Sequence, residues 1–370
     1  MSGKLKMAII SLITRRDLDT PLHFFDKIDV LHFYRSAPYG DMSTDEYSEN
    51  LVNYSDGKDL FEKLVKYSPD FIQGIEPYTF PAGFQEYCAI LKYKRKLKTH
   101  FFFPMLENRP PEKKFGHILS HLLKIYLKNY ASKSDFVIPL NTGAKRNLLD
   151  IGIPQAKFKE LLWGTWGVDV DEFSPGKEKD ERLLLFVGRL DISKGIEYLL
   201  EAFKKIAGDF KNLRLNLVGE GPLKEWIASY IKNFNLEGRV MLQGTVKNKN
   251  LPEFFRRAAL TISPSITTNR WEEQVGMVNI QSIACGTPVV STLSGAIPEY
   301  IRNIREGILV PEKNSEAIAE AVTRLINDSE LRRKMGEEGR KHVLDSYDAR
   351  INIRKAEDFL LDYYGQRGNI

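Results

Sequence analysis

Short apolar runs separated by stretches of helical period recur along the whole chain, and that alternation leaves few folds open. In the first half the runs are "KMAIISL", "DVLHFY", "PDFIQGI", "THFFFPML" and "DFVIPL". A strand with apolar side chains at successive positions needs cover on both faces, which a parallel sheet flanked by helices supplies. Between these runs stand "GKDLFEKLVKYS" and "FGHILSHLLKIYLKNYASKS", with apolar residues three and four apart. The second half repeats the scheme with "RLLLFVGRL", "RLNLVGEG", "VMLQGT", "ALTISPS" and "PVVSTL", and helical "IEYLLEAFKKIAGDF" and "LKEWIASYIKNFN" intervene. Strand–helix alternation of this kind predicts an α/β protein with doubly wound parallel sheets. A chain of 370 residues is long for one core and accommodates two domains of roughly 150–200 residues. The weakly periodic, Gly-, Pro- and acid-rich stretch "WGTWGVDVDEFSPGKEKDERLL" marks the seam, which we place between 166 and 167.

Composition excludes several classes. With 42% apolar and 28% charged residues the chain has ordinary globular content. Cys88 and Cys285 both sit in apolar sequence, so buried free thiols in a reducing compartment are expected. The start, "MSGKLKMAIISLITRRD", has too short an apolar run and no small-residue cleavage site, so it reads as a first strand rather than a signal peptide. No stretch approaches the roughly 20 apolar residues of a membrane span. A soluble, cytoplasmic protein is the expectation.

The net charge of +5 is unevenly spread. Residues 86–146 carry 13 Lys/Arg against 4 Asp/Glu, a local excess of +9. Such a field attracts phosphate groups, a membrane surface or nucleic acid; a solvated lysine-rich helix face is the plainer reading. "LKYKRKLK" and "FGHILSHLLKIYLKNYASKS" interleave cations and aromatics as interfacial helices do, so peripheral docking on anionic membrane through 86–146 is expected.

Ligands of doubly wound sheets bind beyond the carboxyl ends of strands, near helix N-termini. After "LLLFVGRL" come Arg189, Lys194 and Gly195, two cations about a turn that opens a helix. After "LNLVGEGP" stands the tight turn Gly219-Glu220-Gly221-Pro222, and after "ISPS" a loop with Glu272 and Glu273. Val275 and Gly276 then open an apolar helix that carries a lone Gln281. The Gly-x-Gly-x-x-Gly dinucleotide fingerprint is absent. Together these elements describe a site for a phosphorylated ligand bearing hydroxyls.

In order and spacing, "FVGRLDISKGIEYLLEAF", "LVGEGP", "ISPS", "EQVGMVNIQSIACGTPVVST", "SGAIPEYI" and "EGILVP" resemble glycosyltransferase family 4, over residues 185–315. "WGTWGVDVDEFSPG" is similar to the family's interdomain segment, more weakly, and "MLENRPP" to a Glu-Asn element that ends an N-domain strand in some members. The resemblance implies the GT-B architecture, two Rossmann-like domains facing a cleft: 1–166 for the acceptor, 167–348 for the nucleotide sugar. A final helix in 349–370 would cross back to the first domain. Arg189 and Lys194 would grip the donor diphosphate, and Glu273, first acid of the family's Glu-x7-Glu motif, would meet the sugar hydroxyls. Gln281 stands where a second Glu binds the ribose; it keeps a carbonyl acceptor but loses about 1 kcal/mol of charge assistance. Gly188, Gly219, Gly221, Pro222, Val246, Gln274, Val275 and Gly276 would complete the donor site.

In the first domain the resemblance singles out Glu107, with Asn108, for an acceptor or transition-state role, and Glu76 is a second candidate. Thr14 and Arg15 stand where the family often has a Gly-Gly loop, and His100 lies at the wrong end of its strand. The implied enzyme is a hexosyltransferase. It retains anomeric configuration by front-face attack without a protein nucleophile, stabilising the leaving phosphate electrostatically. No His/Cys cluster or strand-end Asp-x-Asp is present, so neither metal nor other cofactor is expected. The partners would be a UDP- or GDP-sugar and a glycan, lipid-linked or small-molecule acceptor, with no nucleic acid. A sugar-nucleotide epimerase of the same fold and an inactive sugar-nucleotide-binding module are the competing readings.

Overall fold

The segment Leu5–Ile13 forms β1, with Met7, Ala8, Ile9 and Ile10 all buried, as a strand covered on both faces requires. The computed structural model describes residues 3–37, 50–163, 167–269 and 271–367. It divides into two units, Met1–Trp166 with Ala349–Ile370, and Gly167–Asp348. The seam placed at 166 adjoins residues 164–166, which lie outside the described ones.

After β1 the first unit continues with α1 (Arg16–Asp19), β2 (Ile28–Ser36), β3 (Leu51–Asn53), α2 (Gly57–Tyr67) and β4 (Phe71–Gln73). Then come α3 (Phe84–Lys96), β5 (His100–Met105), α4 (Pro111–Lys133), β6 (Phe136–Pro139) and α5 (Thr142–Asp150). Capping follows the residue types: the Asp56 carboxylate accepts the Lys58 and Asp59 N–H groups to start α2, and Asn141 Oδ1 accepts Ala144 N–H to start α5. The parallel sheet runs β3-β2-β1-β4-β5-β6, so the winding reverses between β1 and β4 and a crevice opens beyond their carboxyl ends. One face is covered by α2 to α5 through Leu60, Ile90, Leu123 and Leu148.

The second unit runs β7 (Asp180–Val187), α6 (Ile196–Ala207), β8 (Arg214–Val218), α7 (Lys224–Asn233), β9 (Val240–Gly244) and α8 (Leu251–Arg257). It continues with β10 (Ala258–Ser263), α9 (Met277–Ala284), β11 (Val289–Thr292), α10 (Ile297–Tyr300), β12 (Gly307–Val310), α11 (Ser315–Asn327) and α12 (Ser329–Ser346). Its parallel sheet has the order β12-β11-β10-β7-β8-β9, the same winding, with the reversal between β7 and β10.

The last helix, α13 (Ala349–Arg367), belongs to the first unit and covers the other face of that sheet. Its Ala349, Ile353, Ala356 and Leu360 are fully buried in one cluster with Met7, Ile9, Phe71, Phe102 and Phe136. Glu357 is buried too, and its Oε1 accepts the N–H groups of Asp26 (2.9 Å), Lys27 (2.7 Å) and Ile28 (3.0 Å). Those bonds offset the desolvation of the carboxylate and tie α13 to the start of β2.

Two expectations change. Each sheet has a sixth, edge strand that the apolar runs did not reveal: β3 has only Leu51 and Val52 as apolar residues, and β12 is a four-residue strand that opens on Gly307. Cys88 is exposed rather than buried, since the apolar neighbours in its sequence face inward from α3 while it faces out; Cys285 is buried as expected.

Candidate functional site

In the second unit the predicted residues gather beyond the carboxyl ends of β7, β8, β9 and β10. β7 ends at Val187 and is followed by Gly188 and Arg189, and Asp191 Oδ1 then accepts the Ser193 N–H at 2.8 Å, closing a single tight turn that presents Lys194. Gly195 follows at φ +64°, and a Cβ there would stand 1.9 Å from the Pro264 carbonyl oxygen. No side chain fits, so glycine lets the β7 turn lie directly on the strand end of β10. Ile266 N–H donates to the Ser193 carbonyl at 2.8 Å and fixes the two loops together.

Across this contact Lys194 Nζ donates to Glu273 Oε2 at 2.9 Å and lies 4.1 Å above the Trp271 ring. Ser265 Oγ donates to the same carboxylate oxygen at 3.0 Å. Arg189 pairs with the other oxygen of Asp191, but its side chain remains 69% exposed, so most of the guanidinium faces solvent. Each of the two cations thus has a carboxylate neighbour, which lowers the cost of holding positive charge at a strand end.

The turn after β8 joins the same place. Leu190 N–H donates to the Glu220 carbonyl and Leu223 N–H to the Leu190 carbonyl, so Gly219, Gly221 and Pro222 are stitched beside Arg189. Gly219 sits at φ +141°, its missing Cβ 1.9 Å from the Gly188 carbonyl oxygen. Val246 is half-buried in the loop after β9. Gln274 is half-buried, Val275 and Gly276 are buried, and Gly276 precedes the first turn of α9, whose leading N–H groups have no partner within the helix. Gln281 lies on the second turn of α9 and is only 5% exposed. Asn279 Oδ1, on the same helix, is buried without a hydrogen-bond partner. Trp271 and Ser265, which complete the surroundings of Lys194 and Glu273, were not picked out from the sequence; an aromatic next to the paired acids was the available signal.

In the first unit the ends of β4 and β5 bring Glu76 and Glu107 together. Glu76 Oε1 accepts the N–H groups of Leu106 (2.7 Å) and Glu107 (2.5 Å). Burial pushes the Glu76 carboxyl up to about 7; the neighbouring Glu107 charge adds to the rise, and the two N–H donors oppose it. Glu107 is buried, accepts Arg109 N–H at 3.1 Å, and forms a close ion pair with Lys114 on α4. Asn108 is buried beside it, and the nearby Tyr78 hydroxyl is buried without a partner. Beyond β1, across the reversal from β4, Thr14 is fully buried with its Oγ1 unpartnered, and Arg15 is half-buried at the start of α1. His100 packs on Phe71 and Tyr363 at the amino end of β5, away from these groups. Lys114 and Tyr78 escaped sequence reading. Among the described residues no cluster of three or more His, Cys, Asp or Glu could hold a metal ion.

Glu76 makes a pH prediction. Its folded value lies above the ordinary carboxylate value of 4.5, so the folded state holds a proton that the unfolded chain has released. The associated stability is full below about 4.5 and declines as pH rises to about 7. Glu76→Gln keeps an amide oxygen for the two N–H groups and removes this decline. Melting temperatures measured from pH 4.5 to 7.5 are expected to fall less for the variant than for the wild type; parallel curves would place Glu76 in water.

The motif-bearing unit also has relatives. Residues 168–342 match the family described as glycosyl transferases group 1. That segment holds every donor-site residue named above. An uncharacterized glycosyltransferase of Methanocaldococcus jannaschii is 30% identical over 234 residues, covering 60% of this chain and 58% of the relative. The N-acetyl-alpha-D-glucosaminyl L-malate synthase of Bacillus anthracis is 29% identical over 187 residues, covering 50% and 47%. The chain thus spans about half the length of the relatives it matches. Among solved structures, sucrose-phosphate synthase from Thermosynechococcus elongatus superposes with a TM-score of 0.77 at 18% identity, covering 98% of this chain and all of that one. Anabaena HepE in complex with UDP-glucose gives 0.77 at 15% identity, covering 97% and 100%. At such identities the likeness establishes the fold alone, two Rossmann-like parallel-sheet domains of the GT-B class.

Proposed function

We propose that the protein is a retaining glycosyltransferase that moves a sugar from a nucleoside diphosphate to an acceptor hydroxyl. The observation that carries this reading is the Lys194–Glu273 contact beside Arg189 at the winding reversal of the second sheet. A cation pair and a carboxylate at one strand end match a ligand with phosphates on one side and sugar hydroxyls on the other. The group 1 match over this segment supports it, as do relatives named for glycosyl transfer. A solved neighbour complexed with UDP-glucose favours UDP over GDP in the donor.

In this mechanism Arg189 and Lys194 meet the terminal phosphate as the bond to the anomeric carbon breaks and its electron pair leaves with the diphosphate. Cations fixed before the reaction stabilise that charge without reorganising. Glu273 holds sugar hydroxyls, and Lys194 withdraws part of its charge until the donor arrives. Gln281 binds the ribose. The acceptor oxygen attacks on the face the phosphate leaves, so configuration is kept, and no metal or other cofactor takes part. Glu107, Asn108, Glu76, Thr14 and Arg15 serve the acceptor side, where a carboxyl poised near neutrality suits proton transfer. Among the described residues no helix is long and apolar enough to cross a membrane.

Incubation with labelled UDP- and GDP-sugars, with and without acceptor extracts, tests the reading. Acceptor-dependent transfer with retained configuration supports it. An altered sugar nucleotide without acceptor makes the protein an epimerase, and binding without turnover makes it an inactive module. Glu273→Gln is expected to slow turnover at least about 100-fold with nucleotide affinity near normal. Gln281→Glu is expected to retain or tighten nucleotide binding by calorimetry; abolished binding would make Gln281 a core amide.

A further inference from the structure

We infer that the outer face of α4, extended by α3, docks on an anionic lipid surface. After the break at Gly116, where φ is +73°, α4 buries Leu123, Leu127, Tyr130 and Ala131 against the sheet. That stripe meets the needs of the core, yet the opposite side is apolar as well. Ile118 is 86% exposed, Leu122 61% and Ile125 58%, and Leu119 is also exposed. At four- and three-residue spacing the first three fall within an arc of about 60°, a continuous stripe on the solvent side. The stripe continues sideways: Phe84 of α3 is exposed and lies 6.1 Å, ring to ring, from Tyr126 of α4. A contiguous exposed apolar patch marks a contact surface rather than ordinary surface.

Charge selects the partner. From His117 to Lys133 α4 has no Asp or Glu, and the one acid of α3, Glu86, is buried against Arg35. Several cations of this region are committed elsewhere: Lys94 pairs with Asp135, Lys124 with Glu112, and Lys92 lies over the Phe61 ring. Among the described residues Arg95, Lys128 and Lys133 are exposed and form no ion pair. An apolar stripe edged by uncompensated cations, with no exposed acid between, has the make-up of a helix lying in the headgroup region of an anionic membrane. The docking face corresponds to α4 and the exposed ridge of α3, a narrower surface than the whole basic stretch 86–146. α4 also carries Lys114, the partner of Glu107, so the helix that would touch lipid begins at the candidate acceptor groups. If the transferase reading holds, the surface would bring a lipid-borne acceptor to that end.

The test uses the full chain with phosphatidylcholine vesicles, with and without phosphatidylglycerol. Cys88, exposed on α3, takes a polarity-sensitive fluorophore that buried Cys285 does not. Expected are flotation with the anionic vesicles, weakening with salt, and a blue shift of the label. The triple variant Ile118→Ser, Leu122→Ser, Ile125→Ser should bind at least about ten-fold more weakly with unchanged circular dichroism. Arg95→Glu with Lys128→Glu should remove the preference for anionic lipid. Absence of flotation at low salt overturns the proposal, as does equal binding by the triple variant. A wild-type dimer that the triple variant converts to monomer, without vesicle binding, assigns the face to a second copy of the chain. Failed docking leaves transfer to a water-soluble acceptor intact, and failed transfer leaves flotation intact, so the two readings fall separately.

Discussion

Lys194→Ala is expected to slow sugar transfer about 10²–10³-fold, or roughly 2.7–4 kcal/mol of lost transition-state stabilisation, while the protein stays folded. The ammonium stands at the meeting point of the β7 and β10 loops, 2.9 Å from Glu273 and over Trp271. Its removal takes away one charged donor to the Glu273 carboxylate, while Ser265 Oγ still donates to it, so a modest loss of thermal stability accompanies the kinetic one. Arg189→Ala separates the two effects. Its guanidinium is largely exposed, pairs of that kind contribute about 0–1 kcal/mol, and the buried Asp191 keeps the Ser193 N–H and hydroxyl as donors, so the melting point should barely move. Both variants should bind nucleoside normally and nucleoside diphosphate weakly. Near-normal turnover in either, with a sharply lowered melting point, would reduce these cations to structural partners of Asp191 and Glu273.

A chain ended at Asp348 is expected to lose the fold of the first unit. It lacks α13, whose Ile353 and Leu360 are fully buried, and it uncovers Met7, Phe71, Phe102 and Phe136. Each fully buried side chain of this kind is worth about 1.5–3 kcal/mol, and a whole domain is stable by only about 5–15 kcal/mol. Loss of Glu357 also strips three N–H groups at residues 26–28 of their acceptor. Hydrogen exchange should find the amides of β1, β4, β5 and β6 unprotected and those of β7 to β12 unchanged. Full protection of β1 and β5 in the shortened chain would mean that α13 is dispensable cover.

How much the sequence disclosed depended on how local each cause is. "FVGRL", "LVGEG" and "ISPS" end strands buried on both faces, so their apolar runs located the strand ends, and with them Arg189, Lys194 and the Gly219 turn. β3 left no signal because it offers only Leu51 and Val52, both half-buried at the sheet edge, and β12 because Gly307 leaves it three apolar residues. The carboxylate partner of Lys194 lies 79 residues away in the chain, so its pairing becomes visible only when the β7 and β10 loops meet. Lys114 was hidden for a similar reason: it reaches Glu107 at the start of α4, ahead of the break at Gly116. Cys88 was misread because hydrophobic neighbours in sequence do not share one face of a helix.

The place of α13 in the chain has a consequence for synthesis. Domains fold as units while the chain emerges, amino end first. Here the first sheet is complete in sequence by β6, yet one of its faces, touched until then only by short segments around Leu22 and Trp163, lacks its main cover until Ala349 and the residues after it have followed the entire second unit. The second unit, translated later, is therefore free to finish earlier. A nascent chain paused before Ala349 holds a finished second unit and a first unit whose Met7, Phe71 and Phe102 still face water, and it is in that interval that the protein most needs a chaperone.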